Sequence, residues 1–272
     1  MPNPSPRLFA LIAVLAILNS ANAAEPRDVS FISTLDKTEQ RYILIPPDNF
    51  QPDAPVSILI ALHGHGSDRW QFAQDPRDEC RAARDAAAKH HLLYITPDYR
   101  AKTSWMGPAA EADLVQIVSD LKRQYRVRKI ILTGGSMGGT AALTFSALHP
   151  DLIDGVVSMN GTANLVEYPH FQDAIAASYG GSKQDKPDEY RKRSAELHAD
   201  KLTMPIAFAT GGQDTLVPPA SILRLHEVLH KQNRPVHLIH RPDGGHSTNY
   251  ADATAAFDFV FNKVSIEPAR SP

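Results

Sequence analysis

The chain has one cysteine in 272 residues, Cys80, so no internal disulfide can form and the fold must be held by its core alone. Cys80 sits in Arg77–Lys89, which reads as a helix, and no acid–base motif stands near it. It is expected to be a small packed thiol rather than a nucleophile. Charge of one sign is also lacking. A formal charge of −2 and a pI near 6.6 leave no broad basic footprint for displacing counterions from phosphates, which argues against nucleic acid as a partner.

The apolar run Leu8–Leu18 falls short of the roughly 20 residues that a bilayer-spanning helix needs, so no stable membrane anchor is expected. Arg7 precedes this run, and Ala21-Asn22-Ala23 after it has the small-x-small form of a cleavage site. The reading is a secretory signal peptide over residues 1–23, followed by one catalytic domain over 24–272, secreted to the periplasm or outside the cell. A composition of 43% hydrophobic and 21% charged residues suffices for one substantial core.

What the sequence does contain is alternation. Short apolar runs at Tyr42–Ile45, Val56–Leu62, Leu92–Thr96, Lys129–Thr133, Gly155–Met159, Ile206–Thr210 and Val236–His240 read as strands. Between them, Arg77–His90, Glu111–Tyr125, Met137–His149, Ala220–Lys231 and Ala251–Phe261 carry helical spacing. Strands alternating with helices predict an α/β fold with a mostly parallel twisted sheet and helices on both faces. Phe31–Thr34 and Tyr42–Ile45 read as an antiparallel hairpin at the sheet edge. The long stretch 160–205 interrupts the alternation and reads either as a connecting helix pair or as a small cap over a site.

Gly134-Gly135-Ser136-Met137-Gly138 follows one strand and opens one helix, the context of a G-x-S-x-G nucleophile elbow. A serine on so sharp a turn is strained, and the flanking glycines let strand and helix approach without Cβ clashes. Because a serine hydroxyl is a weak nucleophile, Ser136 requires a histidine to take its proton and a carboxylate to hold that histidine. Asp214 follows the strand Ile206–Thr210 and His246 follows Val236–His240, so both belong at the same sheet edge as Ser136. The order Ser136, Asp214, His246 is that of a Ser-Asp-His triad on such a sheet. Asp243 is a rival acid, but its closeness on one tight loop makes reaching the His246 Nδ1 difficult, and His240 reads as a strand residue. The oxyanion donors are expected to be the backbone N–H groups of Met137 and of His65, the latter in Leu62-His63-Gly64-His65-Gly66. His63 and His65 alone do not close a metal site.

Together these motifs resemble the α/β-hydrolase superfamily over roughly Arg41 to Phe261. Within it the chain resembles secreted esterases related to feruloyl esterases and polyhydroxybutyrate depolymerases, and also the catalytic domain of prolyl oligopeptidases. The resemblance implies acyl transfer to water with no cofactor. It leaves a carboxylic esterase acting on a small-molecule or carbohydrate-linked ester as the first expectation and a serine peptidase as the second. The full prolyl oligopeptidase pattern adds a large propeller, for which this length leaves no room, and that favours esters. A non-catalytic binding scaffold is the third expectation; such scaffolds usually arise by losing a triad residue, and none is missing here.

Two further features need weighing. His226-Glu227-Val228-Leu229-His230 satisfies the H-E-x-x-H pattern of zinc proteases, yet Ile222, Leu225 and Leu229 already define that helix's packing face, so no metal is expected. Trp105, in the loop after Leu92–Thr96, is expected either to form an apolar wall against substrate or to anchor its loop.

Overall fold

The structure, a computed structural model, describes residues 25–267; the expected signal peptide over residues 1–23 lies outside the described residues. Eight strands form one sheet in the order β1-β2-β4-β3-β5-β6-β7-β8. They are β1 (Arg27–Ile32), β2 (Glu39–Ile45), β3 (Val56–Leu62), β4 (Leu93–Pro97), β5 (Val127–Gly135), β6 (Gly155–Met159), β7 (Ile206–Gly211) and β8 (Val236–Arg241). From β4 to β8 every pairing is parallel, while β2 runs antiparallel to both β1 and β4.

Alternation along the strands builds a core on each face. On one side Ile58, Ile60, Leu62, Leu132 and Phe208 pack beneath α3 (Pro108–Gln124), α4 (Met137–Leu148) and α7 (Ala220–Lys231). On the other, Leu59, Ala61, Ile131 and Val157 meet α2 (Asp78–Lys89) and α8 (Tyr250–Val264). The fully buried Phe257 and Phe261 of α8 are each worth about 1.5–3 kcal/mol in area removed from water. Cys80 lies in this second core, and burial pushes its thiol up to about 12. The fold is the α/β-hydrolase arrangement expected. Among the described residues no helix is long and apolar enough to cross a membrane.

The boundaries differ in places. The edge hairpin forms, but β1 starts at Arg27 rather than Phe31, because Val29 pairs with Tyr42 and the ladder runs back to Arg27 opposite Leu44. The expected strand end at Thr34 is instead the turn, closed by Ser33 N–H donating to the Thr38 carbonyl at 2.8 Å. A short helix, α1 (Trp70–Gln74), was not foreseen. The stretch 160–205 contains α5 (Gln172–Tyr179), α6 (Pro187–Lys192) and the 3-10 turn Ala195–Lys201. Its Tyr168, Ile175, Tyr179 and Tyr190 join the first core. Arg193, fully buried, donates to the Met106 carbonyl at 2.7 Å and pairs with Glu111 at 2.7 Å and Glu189 at 3.0 Å. The contacts with Met106 and Glu111 bind the stretch to the body.

Candidate active site

β5 and α4 meet at Ser136, whose φ of 57° and ψ of −121° lie where an L-residue is strained. The turn closes because its glycines have no side chains: a Cβ on Gly138 would sit 2.0 Å from the Leu62 carbonyl oxygen, and one on Gly134 would sit 2.4 Å from the Gly138 carbonyl carbon. Ser136 N–H donates to the Met159 carbonyl at 2.8 Å, tying the elbow to β6.

The loops after β7 and β8 dock on each other. Gln213 N–H donates to the Gly244 carbonyl at 2.8 Å, and Gly212 N–H to that of Arg241 at 2.8 Å. The docking sets His246 between Asp214 and Ser136. His246 Nδ1 lies 2.6 Å from Asp214 Oδ2, and His246 Nε2 lies 2.9 Å from Ser136 Oγ. Asp214 is 3% exposed, and its other oxygen accepts from the N–H groups of Leu216 and Val217 at 3.0 and 2.8 Å. The Nδ2 group of Asn160 stands 3.4 Å from both Asp214 Oδ2 and the Gly245 carbonyl, while Thr248 Oγ1 donates to Asn160 Oδ1 at 2.5 Å. Asp243, the rival acid, is exposed and joins no such network.

The β3–α1 loop supplies the facing wall. Gly64 N–H donates to Gln71 Oε1 at 2.7 Å, which orients the turn. Among the described residues no acceptor takes the backbone N–H of His65 or of Met137. The His63 ring is buried, with its nitrogens 2.8 and 3.1 Å from the carbonyls of Gly64 and Asp98. The His65 ring turns instead to Trp105, so the two histidines do not converge as a metal pair. Burial lowers the affinity of both rings for a proton.

These groups border a cleft of about 330 Å³ that holds Ser136 and His246. Its apolar lining includes Phe72, Met159, Phe171 and Leu216, and its polar lining includes Gln71, Arg77 and Glu79. The expectation that Trp105 contacts substrate is corrected. Trp105 is 0% exposed; its indole Nε1–H donates to His65 Nδ1 at 3.0 Å, and its ring packs against Tyr168 and Phe171 at 5.5 Å. A side chain without exposed surface anchors the loop, and Phe171 from the 160–205 stretch presents the aromatic wall. Neither Phe171 nor Asn160 was expected from the sequence as a site residue. Asn160 left a signal, a polar residue directly after an apolar strand at the edge that carries the other site residues.

The H-E-x-x-H helix is α7. Ile222, Leu225 and Leu229 are buried, His226 and His230 stack on its flank with ring centroids 5.9 Å apart, and Glu227 pairs with Lys231 at 2.6 Å. Among the described residues no group of three or more His, Cys, Asp or Glu converges so as to hold a metal ion.

Comparison with known proteins agrees with this architecture. The chain is 27% identical over 218 residues to a carboxymethylenebutenolidase-like protein of Escherichia coli (strain K12), covering 73% of this chain and 70% of that one. S-formylglutathione hydrolase FrmB of Staphylococcus aureus superposes with a TM-score of 0.67 at 16% identity, covering 88% of this chain and 98% of that one. A puromycin hydrolase superposes with a TM-score of 0.72 at 18% identity; the match takes in 92% of this chain but only 40% of that longer protein. The sequence profile of the prolyl oligopeptidase family matches residues 100–262, which contain Ser136, Asp214 and His246. The chain belongs to the prolyl oligopeptidase family, among the serine hydrolases of the α/β-hydrolase fold.

Proposed function

We propose that the protein is a secreted carboxylic ester hydrolase working through Ser136, His246 and Asp214. The observation that carries this reading is the hydrogen-bonded line from Asp214 through His246 to Ser136, at 2.6 and 2.9 Å, opening into the cleft. Ser136 Oγ attacks the ester carbonyl carbon while its proton passes to His246 Nε2. The tetrahedral oxyanion is held by the N–H groups of His65 and Met137. Collapse expels the alcohol, which leaves with the proton from His246. Water then gives a proton to His246 as its oxygen attacks the acyl carbon, and a second collapse releases the acid and returns the proton to Ser136. Asp214 keeps the His246 Nδ1–H in place throughout and stabilises the imidazolium.

Ester cleavage is favoured over peptide cleavage by the relatives matched along most of their own length, whose names denote a lactone and a thioester. The puromycin hydrolase is matched over less than half of its length. Serine peptidase activity is the second reading, supported by the family itself. Export rests on residues 1–23, and sequencing the N-terminus of the mature protein from fractionated cells tests it: a start at Ala24 in the exported fraction is expected.

A fluorophosphonate label tests the reaction class first, with adduct mass on Ser136 expected. Aryl esters of increasing chain length, feruloyl esters, acetylated sugars and a proline peptide then separate the readings. Turnover of esters above the peptide supports the esterase; turnover of the peptide alone installs the peptidase, and a protein that neither labels nor turns over is a binding scaffold.

A further inference from the structure

The cleft beside Ser136 carries an anion that the reaction does not use. Glu79, in the first turn of α2, has its side chain 16% exposed on the cleft wall. Its Cγ lies 3.8 Å from where a Cβ on Gly135 would be, so it stands against the residue preceding the nucleophile. No described residue donates a hydrogen bond to its carboxylate, and the nearest cation, Arg77 Nη1, is 3.9 Å away. That guanidinium also holds Asp75: its Nε and Nη2 donate to Asp75 Oδ2 at 2.9 and 2.7 Å. Arg77 is thus shared between two carboxylates, with Asp75 the closer, and the trio Asp75, Arg77 and Glu79 leaves one net negative charge at the cleft.

A helix start favours an acidic residue on electrostatic grounds, and that accounts for Asp78 and Glu79 as members of α2. It does not account for Glu79 lining the cleft beside Gly135. Asp78 Oδ2, by contrast, accepts from Tyr250 N–H at 3.1 Å and Asp78 Oδ1 pairs with Arg81 at 3.0 Å. A carboxylate with a largely covered side chain, no hydrogen-bond donor and a cationic neighbour that it shares with Asp75 gains from a closer, bound cation. Phe72, which stands with Glu79 against Gly135, suits the apolar skirt of an organic ammonium group.

We propose that Glu79 is a specificity-determining residue that makes the cleft select substrates bearing a cationic group, an ammonium or a guanidinium, a short distance from the scissile carbonyl. The inference rests on the ester-hydrolase reading for the reaction, but the binding it requires is measurable without turnover.

The experiment has two arms. In the first, calorimetry compares benzyltrimethylammonium with its uncharged carbon isostere, neopentylbenzene, on the full protein. The ammonium is expected to bind about tenfold or more tightly, the scale of one close charge pair at a partly exposed site, and Glu79→Gln is expected to remove that advantage. In the second, kcat/KM is measured for acetylthiocholine against 3,3-dimethylbutyl thioacetate, and for p-nitrophenyl 6-aminohexanoate against p-nitrophenyl hexanoate. At least one pair should favour the cation, with the cationic-to-neutral ratio falling about tenfold in Glu79→Gln. Equal binding of the ammonium and its isostere overturns the inference, as does a ratio unmoved by Glu79→Gln. A preference for an anionic ester that is lost in Arg77→Gln would overturn it in favour of Arg77. Failure of the underlying reading looks different: neither member of a pair is hydrolysed, whatever the binding arm gives.

Discussion

The indole Nε1–H of Trp105 donates to Nδ1 of His65 at 3.0 Å. An indole nitrogen can only donate, so Nδ1 must be the unprotonated nitrogen, and the ring is neutral with its hydrogen on Nε2. The same residue offers its backbone N–H to the proposed oxyanion hole, so the buried tryptophan fixes a group at the site without touching substrate. Trp105 also receives the Tyr179 hydroxyl on its carbonyl at 3.0 Å and donates its own N–H to Met137 Sδ at 3.4 Å. It therefore couples both proposed oxyanion donors, His65 and Met137, to the 160–205 stretch.

Trp105→Phe keeps the aromatic contacts and deletes the donor. The expected result is a folded protein whose kcat falls about 10- to 100-fold, less than the 10²–10³ of losing an oxyanion donor outright, with KM for a neutral ester changed little. A fall in KM-dependent binding with kcat preserved would show that Trp105 shapes the substrate pocket instead.

Ser136→Ala should leave the fold intact and lower hydrolysis by about 10⁴- to 10⁶-fold. The positive φ of Ser136 adds a second expectation, because glycine adopts that conformation without strain. Ser136→Gly should be more stable than Ser136→Ala by about 1 kcal/mol in urea unfolding, the strain relieved less the flexibility gained by the unfolded chain. Equal stabilities would mean that the elbow stores no strain at this residue.

Asp214→Asn should cut kcat by about 10⁴-fold while preserving the fold, since an amide favours the wrong imidazole tautomer. The exposed Asp243 should tolerate the same change with activity near wild type. The reverse pattern would assign the acid to Asp243. The convergence of Ser136, Asp214 and His246 was legible in the sequence because each follows an apolar strand, and parallel strands deliver their carboxyl ends to one edge; Asp243 was set aside because of its closeness to His246 on one tight loop. Nothing comparable marks Phe171, which reaches the cleft from an irregular stretch with no strand to index it. Trp105 shows the same limit from the other side: its position in a loop near the site was readable, but whether the ring faces the cleft or the core depends on Tyr168, Phe171 and Tyr179, more than sixty positions along the chain. In the H-E-x-x-H helix the packing face was readable from the periodicity, since Ile222, Leu225 and Leu229 are buried as the spacing required.

That match makes a separate prediction. Glu227 is exposed and paired with Lys231, so Glu227→Gln should change ester hydrolysis by less than about twofold and leave the urea midpoint nearly unmoved. Loss of activity on chelation, restored by Zn²⁺ and abolished by Glu227→Gln, would place the chemistry on α7.

The last prediction concerns what holds the 160–205 stretch against the body. Burial would raise the Glu111 carboxyl, but the His149 hydrogen bond and the Arg193 charge outweigh it and hold the group down to about 2. A depressed folded pKa contributes stability that is fully present above the ordinary carboxylate range and is lost as the pH falls through the folded value. Stability should therefore drop between about pH 4.5 and pH 2 by an amount on the order of 3 kcal/mol from this group, a loss that Glu111→Gln should not show. Because Arg193 is fully buried between Glu111 and Glu189, Arg193→Ala takes the cation from Glu189 and leaves Glu111 only His149 and the more distant Lys192, and should cost about 3 kcal/mol at pH 7. Urea unfolding of the wild type, Glu111→Gln and Arg193→Ala from pH 7 to pH 2 reads each of these. If Glu111→Gln retained the full acid-dependent slope, the stretch would be held by its buried Tyr179 and Tyr190 and not by the ion pairs.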